Sequence, residues 1–223
     1  MFLIRISDRI RHMNKDNLKM AFNHLPIPSF RYYQETDSTN TQALDWISEN
    51  TSEYSLVIAE SQTAGRGRSG RNWVTTPGSS LAVSIILYPT KHEISKLGLF
   101  SLLGGLSVCK VIEDSFNIDA HVKWPNDVLI KNKKTAGILT ESTWQGERLQ
   151  GIVLGIGINL LTPSIPPSEE ILFPATCIQS HTSDDIDVLT ILVKLVGKLI
   201  GFRSTMLSPS FIQQYEKKLA YKN

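Results

Sequence analysis

Between Gly65 and Arg71 three glycines and three arginines share seven positions with one serine, inside the acid-free segment SQTAGRGRSGRNW (Ser61 to Trp73). Glycines let consecutive backbone N–H groups converge on one ligand atom, because no side chain blocks the approach, and such a turn is an anion nest. Arginine adds planar, permanently charged donors that grip phosphate or carboxylate oxygens two at a time. The loop lacks the GK[ST] of a Walker A motif, and its spacing is not that of GxGxxG. A phosphate, or a phosphate beside a carboxylate, is the chemistry these residues suit. A solvated basic loop and a stacking contact to a nucleic-acid strand are the competing readings. The second wants repetition and a basic surround, and neither is present.

A second segment, KWPNDVLIKNKKTAGILTE (Lys123 to Glu141), places Lys123, Asn126 and Asp127 around a proline turn and follows them with Lys133, Lys134, Ala136 and Gly137. Either piece alone reads as an ordinary turn or a solvated hairpin tip. A basic loop, an Asp-bearing turn and a lysine beside Ala-Gly in one chain together indicate a site.

The elements that must position these residues follow from hydrophobic periodicity. RYYQET, SLVIAES and SLAVSIILYP read as strands, the second delivering the chain into the glycine-arginine loop. Ala43, Leu44 and Ile47 give a helical face that Asp37 or Ser38 would cap. Ile94 to Phe116 reads as a core helix, with Gly104 and Gly105 marking close packing. AHVKW, VLIKN, TAGILTES and GIVLGIGINL form four more strands, with KNKK as a hairpin turn. Pro163 to Pro174 is loop, and helices are expected over Ile186–Phe202 and Pro209–Ala220. Residues 1–29 form a polar, partly helical lead-in, and residues 30–223 the catalytic unit. The predicted fold class is α/β (α+β), a mixed, mostly antiparallel central sheet backed by helices, instead of βαβ repetition.

With 223 residues, 41% hydrophobic and 20% charged, the chain can bury a core, and a net charge of +2 gives no argument for nucleic acid. Cys109 and Cys177 match no metal-ligand or disulfide spacing and read as buried thiols in a reducing cytoplasm. MFLIRI is too short for a signal sequence, and no run reaches the roughly 20 apolar residues of a membrane span.

Taken together, STN (Ser38 to Asn40), QTAGRGRSGRNW, KWPNDV, KKTAGIL and GIGIN (Gly155 to Asn159) resemble the biotin protein ligases in order and separation, over Arg31 to Leu160. The resemblance implies a class II synthetase-like biotin/lipoyl ligase core that forms biotinyl-AMP from biotin and ATP. It then transfers biotin to a lysine of a biotin carboxyl carrier domain. Lys134 matches the lysine that contacts the biotin carboxyl and the α-phosphate, and Arg68 the arginine that closes the loop. Asp127 lies in the active site, either near Mg²⁺ or orienting Lys134. For biotin the resemblance implies Ser38, Thr39, Asn40, Gln62, Gly65, Arg66, Gly137, Gly155 and Gly157. For the nucleotide it implies Arg68, Arg71, Trp73, Asn126, Lys134 and Asn159. Mg²⁺ is expected with ATP, its protein ligands left open.

Fewer than 40 residues precede STN, so no DNA-binding domain and no DNA partner are expected, and the chain stops about where a small SH3-like C-terminal domain would begin. A cytoplasmic enzyme, with a homodimer allowed, is the resulting expectation. The alternatives are lipoate or octanoyl ligase-type transfer, or a non-catalytic biotin or nucleotide binder.

Overall fold

The computed structural model describes residues 13–167 and 173–221. Residues 1–12 of the expected lead-in, and 168–172 of the expected loop, lie outside the described residues. In chain order the main elements are α1 (Lys15–Ala21), β1 (Phe30–Thr36), α2 (Thr39–Ser48), β2 (Leu56–Gln62), β3 (Ser80–Leu87), α3 (Lys91–Ile94) and α4 (Gly98–Phe116). There follow β4 (Ala120–Lys123), β5 (Asp127–Ile130), β6 (Lys133–Gln145), β7 (Arg148–Asn159), α5 (Val188–Arg203) and α6 (Pro209–Lys217).

Among the described residues seven strands join one sheet in the order β1-β2-β3-β7-β6-β5-β4. Only β1 and β2 are parallel, and α2 connects them, so one βαβ unit opens an otherwise antiparallel sheet. The mixed, mostly antiparallel sheet expected from the sequence is therefore present. Between β5 and β6, Lys131 and Asn132 both have positive φ (46° and 60°), the pattern of a two-residue hairpin turn. The helix expected over 94–116 begins later, at Gly98, and Ile94 instead ends the short α3, which Thr90 and Glu93 start with a capping box.

Period-2 alternation sorts the strands into two faces. Ile152, Leu154, Ile156 and Ile158 of β7 enter the main core with α4, α5 and Leu18 of α1. A methyl group at Gly104 would stand 3.0 Å from Ile138 Cγ2, so α4 lies close on β6. On the other face, Ala43 and Ile47 of α2 pack on Val57, Ile86 and Val153. Alternating with the apolar residues of β7 and β6, Gly155, Gly157 and Gly137 add no side chains of their own to that second face, which leaves a gap bounded by Asn40 of α2 and by Trp73. The gap is a trough.

Candidate active site

The trough is a cavity of about 330 Å³ whose lining includes Ser38, Thr39, Asn40, Gln62, Gly137, Gly155 and Gly157. Its closed end is a polar chain. Thr39 donates from its backbone N (2.8 Å) and its Oγ1 (3.1 Å) to Gln62 Oε1. Ser84 Oγ lies 2.8 Å from Thr39 Oγ1 and donates to Asn40 Oδ1 at 2.6 Å. Asn40 Nδ2 donates to Glu141 Oε2 at 2.7 Å. Ser38, Thr39, Asn40 and Ser84 are all buried. Because its oxygen is taken by Thr39, Gln62 has its amide N–H groups left for a ligand.

Helix α2 starts at Thr39 with Ser38 at its N-cap, yet the Ser38 side chain makes no capping bond. Neither residue expected to cap the helix does so in the usual way. The first-turn amide of Thr39 is met by Gln62 from β2, and Asp37 instead accepts from the Ser38 backbone N at 2.6 Å. The Ser38 hydroxyl is thereby left to line the cavity. Burial works against the charge on Asp37, but hydrogen bonds from Gln42, the Ser38 amide and Thr36 outweigh it and hold the carboxyl below its ordinary range.

The arginine loop closes on itself above the trough. Gly67 N donates to Arg71 O (2.7 Å) and Trp73 N to Gly65 O (2.8 Å), while Ser69 and Gly70 turn the tip at φ 57° and 73°. Gly65 must be glycine, since a Cβ there would run into the Trp73 carbonyl. Among the described residues Arg68 and Arg71 have no ion-pair partner, whereas Arg66 Nη2 donates to Glu141 Oε2 at 3.0 Å. Behind the loop, Trp73 lies so near Gly157 that a methyl group there would fall within its indole, and it also faces Gly137. Its Nε1 is buried and has no hydrogen-bond partner among the described residues.

At the mouth of the trough, Lys134 Nζ is 2.7 Å from Asp127 Oδ1, and Lys123 Nζ is 3.9 Å from Asp127 Oδ2. Lys134, Asp127, Trp73, Arg71 and Asn72 also line a second cavity of about 620 Å³, together with Asn159, Phe173 and Ala175. Two cavities thus share one wall, and the lysine–aspartate pair stands at their junction. Among the described residues no group of three or more His, Cys, Asp or Glu side chains is placed to hold a metal ion.

The site residues implied by the resemblance line one or both of these cavities except Gly65, which instead packs against the Trp73 carbonyl at the base of the loop. Asn126 spends its amide on Ile138 O (2.9 Å) and Asn159 on Thr176 O (3.1 Å), so both side chains serve the walls. Trp73, expected toward the nucleotide, lines both cavities. Sequence reasoning missed Ser84 and Glu141. Ser84 was visible as a lone polar residue within the apolar run LAVSIIL, and Glu141 shares the face of Gly137 by alternation along β6.

The Biotin/lipoate A/B protein ligase family model matches residues 32–159. The bifunctional ligase/repressor BirA of Bacillus subtilis is 36% identical over 156 residues, covering 70% of this chain and 48% of that protein. The biotin–[acetyl-CoA-carboxylase] ligase of Paracoccus denitrificans is 36% identical over 155 residues, covering 68% and 63%. This chain therefore spans about half the length of the BirA protein it matches. Among solved structures, the biotin protein ligase from Aquifex aeolicus in complex with biotin and ATP superposes with a TM-score of 0.75 at 32% identity, covering 87% of this chain and 80% of that one.

Proposed function

Because the chain belongs to the biotin/lipoate A/B protein ligase family, we propose that it is an ATP-dependent biotin protein ligase whose catalytic unit is residues 30–223. The observation that carries this reading is the Lys134–Asp127 pair at the junction of two cavities, one of them closed by a polar chain. Biotin's ureido head is neutral and needs paired donors and acceptors when buried, and Gln62, Thr39, Ser38 and Asn40 supply them. Its chain would run past Gly137, Gly155 and Gly157, whose missing side chains make room for the Asn40 amide and the Trp73 indole that flank the trough. The nucleotide takes the second cavity, with Arg71 on its wall and Arg68 over the adjoining trough, both available to bind phosphate.

In the first step a biotin carboxylate oxygen attacks the α-phosphorus of ATP, the P–O bond to pyrophosphate breaks, and biotinyl-AMP remains. Lys134 brings two anions together and is held in place by Asp127, so its charge is already aimed where negative charge concentrates. In the second step an acceptor lysine amine attacks the biotinyl carbonyl, the C–O bond to AMP breaks, and the amine loses a proton. The acceptor is a biotin carboxyl carrier domain. Both Asp127 oxygens are engaged by lysines, which fits orientation of Lys134 better than metal ligation. Mg²⁺ would arrive on the ATP phosphates, held by them and by water.

Lipoate is the alternative substrate within this family. Its dithiolane ring would leave the Gln62 amide N–H groups and the Ser38 hydroxyl without the partners a ureido head supplies, a penalty that favours biotin. The deciding experiment incubates the protein with biotin, Mg-ATP and a carrier domain, omits each in turn, and reads the carrier by mass. A biotin-sized increase only in the complete mixture is expected. ATP–pyrophosphate exchange that depends on lipoate and ignores biotin would overturn the reading.

A further inference from the structure

Glu141 is common to the arginine loop and the closed end of the trough. Its Oε2 accepts from Arg66 Nη2 at 3.0 Å and from Asn40 Nδ2 at 2.7 Å. Among the described residues this is the ion pair that ties the loop to the sheet. An exposed pair of this kind contributes little alone. Here, however, the same oxygen holds a buried amide, since Asn40 is only 3% exposed. Without Glu141, Asn40 Nδ2 would keep only Leu139 O at 3.3 Å. Asn40 is also boxed in from below, because a methyl group at Gly155 would overlap its amide.

Glu141 does not line the trough. It lines instead a wider, adjoining groove of about 1030 Å³, so whatever it does for the substrate it does through Arg66 and Asn40. We propose that Glu141 is a positioning residue that latches the arginine loop to α2 and β6, so that loop closure and capture of the ligand's polar head are one coupled event. This rests on the biotin-ligase reading of the trough. The coupling has a clear chemical logic. When Arg66 leaves, Glu141 carries an unpaired charge and its grip on Asn40 competes with water; when Arg66 returns, the acceptor is fixed for both.

Two substitutions separate the parts. Glu141→Gln keeps an oxygen for Asn40 and removes the charge facing Arg66, while Glu141→Ala removes both. Hydrogen exchange of the ligand-free full chain, read by mass over residues 63–74, reports the cross-loop bonds of Gly67 and Trp73. Glu141→Gln should speed that exchange about three- to fivefold, the range an exposed pair supports, and Glu141→Ala should speed it further, with α4 unchanged in both. In ATP–pyrophosphate exchange the biotin KM should rise by a similar factor while the ATP KM stays within about twofold. Unchanged loop exchange in Glu141→Gln would overturn the latch, as would acceleration spread equally over α4. A faster loop with an unaltered biotin KM would overturn the coupling. If Glu141→Gln does not fold, Arg66→Gln must release the loop from the other side. The exchange measurement uses no substrate, so it judges the latch even if the wild type fails to use biotin. A wild type that turns over biotin with an unchanged loop in Glu141→Gln sinks the latch alone.

Discussion

Lys134 Nζ stands 2.7 Å from Asp127 Oδ1, across the short hairpin formed by β5 and β6. The two-residue turn at Lys131–Asn132 sets Lys134 opposite Leu129, two residues from Asp127 on the same strand face, and a β-bulge then sets Gly137 opposite Asp127. A cation held this way needs no rearrangement when a carboxylate and a phosphate meet beside it. Lys134→Ala should reduce adenylate formation by about 10²- to 10³-fold, the usual effect of removing one charge contact at the reacting centre. Asp127→Asn should act in the same direction through kcat and more weakly, since the lysine remains but is no longer aimed. Single-turnover formation of biotinyl-AMP measures both. A near-normal rate in Lys134→Ala would refute the assignment.

The glycines of β7 are expected to be intolerant for two different reasons. At Gly155 a Cβ would displace the Asn40 amide, and at Gly157 it would displace the Trp73 indole. Forcing extra atoms into such contacts typically costs about 1–3 kcal/mol. Gly155→Ala should therefore weaken biotin binding by roughly the corresponding 5- to 150-fold while sparing ATP. Gly157→Ala should disturb both ligands, because Trp73 lines both cavities. Titration calorimetry with each ligand separates the cases, and equal losses for biotin and ATP in Gly155→Ala would contradict this division.

Arg68 has no ion-pair partner among the described residues and sits at the loop tip beside two left-handed residues. Its charge is therefore available to whatever lies beneath the loop. Arg68→Gly should let biotinyl-AMP escape, so that free adenylate accumulates in solution and carrier labelling falls. Chromatography of the reaction mixture after rapid filtration reads this directly. Adenylate retained as tightly as in the wild type would show that another group closes the site.

What the sequence made legible is the part carried by local periodicity. GIVLGIGIN announces a buried strand whose alternate positions carry no side chains, whereas the β-bulge that sets both Lys134 and Gly137, three residues apart, on the Asp127 face is not written in the period-2 pattern. Long-range pairings were hidden for a physical reason. Arg66 and Glu141 are 75 residues apart, and only the register of β6 against its neighbours brings them together. The acid that neutralises one arginine was therefore invisible beside an acid-free loop. The cap of α2 is legible in position but not in its bonding. Ser38 occupies the right position, but Gln62 on another strand satisfies the Thr39 amide.

Stability should depend on acid through Arg203, at the end of α5. Its side chain is 8% exposed and donates to Glu53 Oε1 (2.6 Å), Glu93 Oε1 (3.3 Å) and Tyr88 O (3.0 Å), tying α5 to three other segments. Burial alone would raise the Glu93 pKa, but hydrogen bonds from Arg203 and Thr90 outweigh it, so the folded value lies below the ordinary one. A lowered folded-state pKa means that ionised Glu93 stabilises the fold fully above the unfolded value of about 4.3. That contribution is lost as pH falls from there through the folded pKa. Glu93→Gln should thus be less stable than the wild type at pH 7 yet lose less on acidification below about pH 4.3. Arg203→Ala leaves carboxylates unpaired and should cost about 3–5 kcal/mol at neutral pH. Urea melts of the three proteins across this range test the scheme. Parallel acid slopes for wild type and Glu93→Gln would place the acid sensitivity elsewhere.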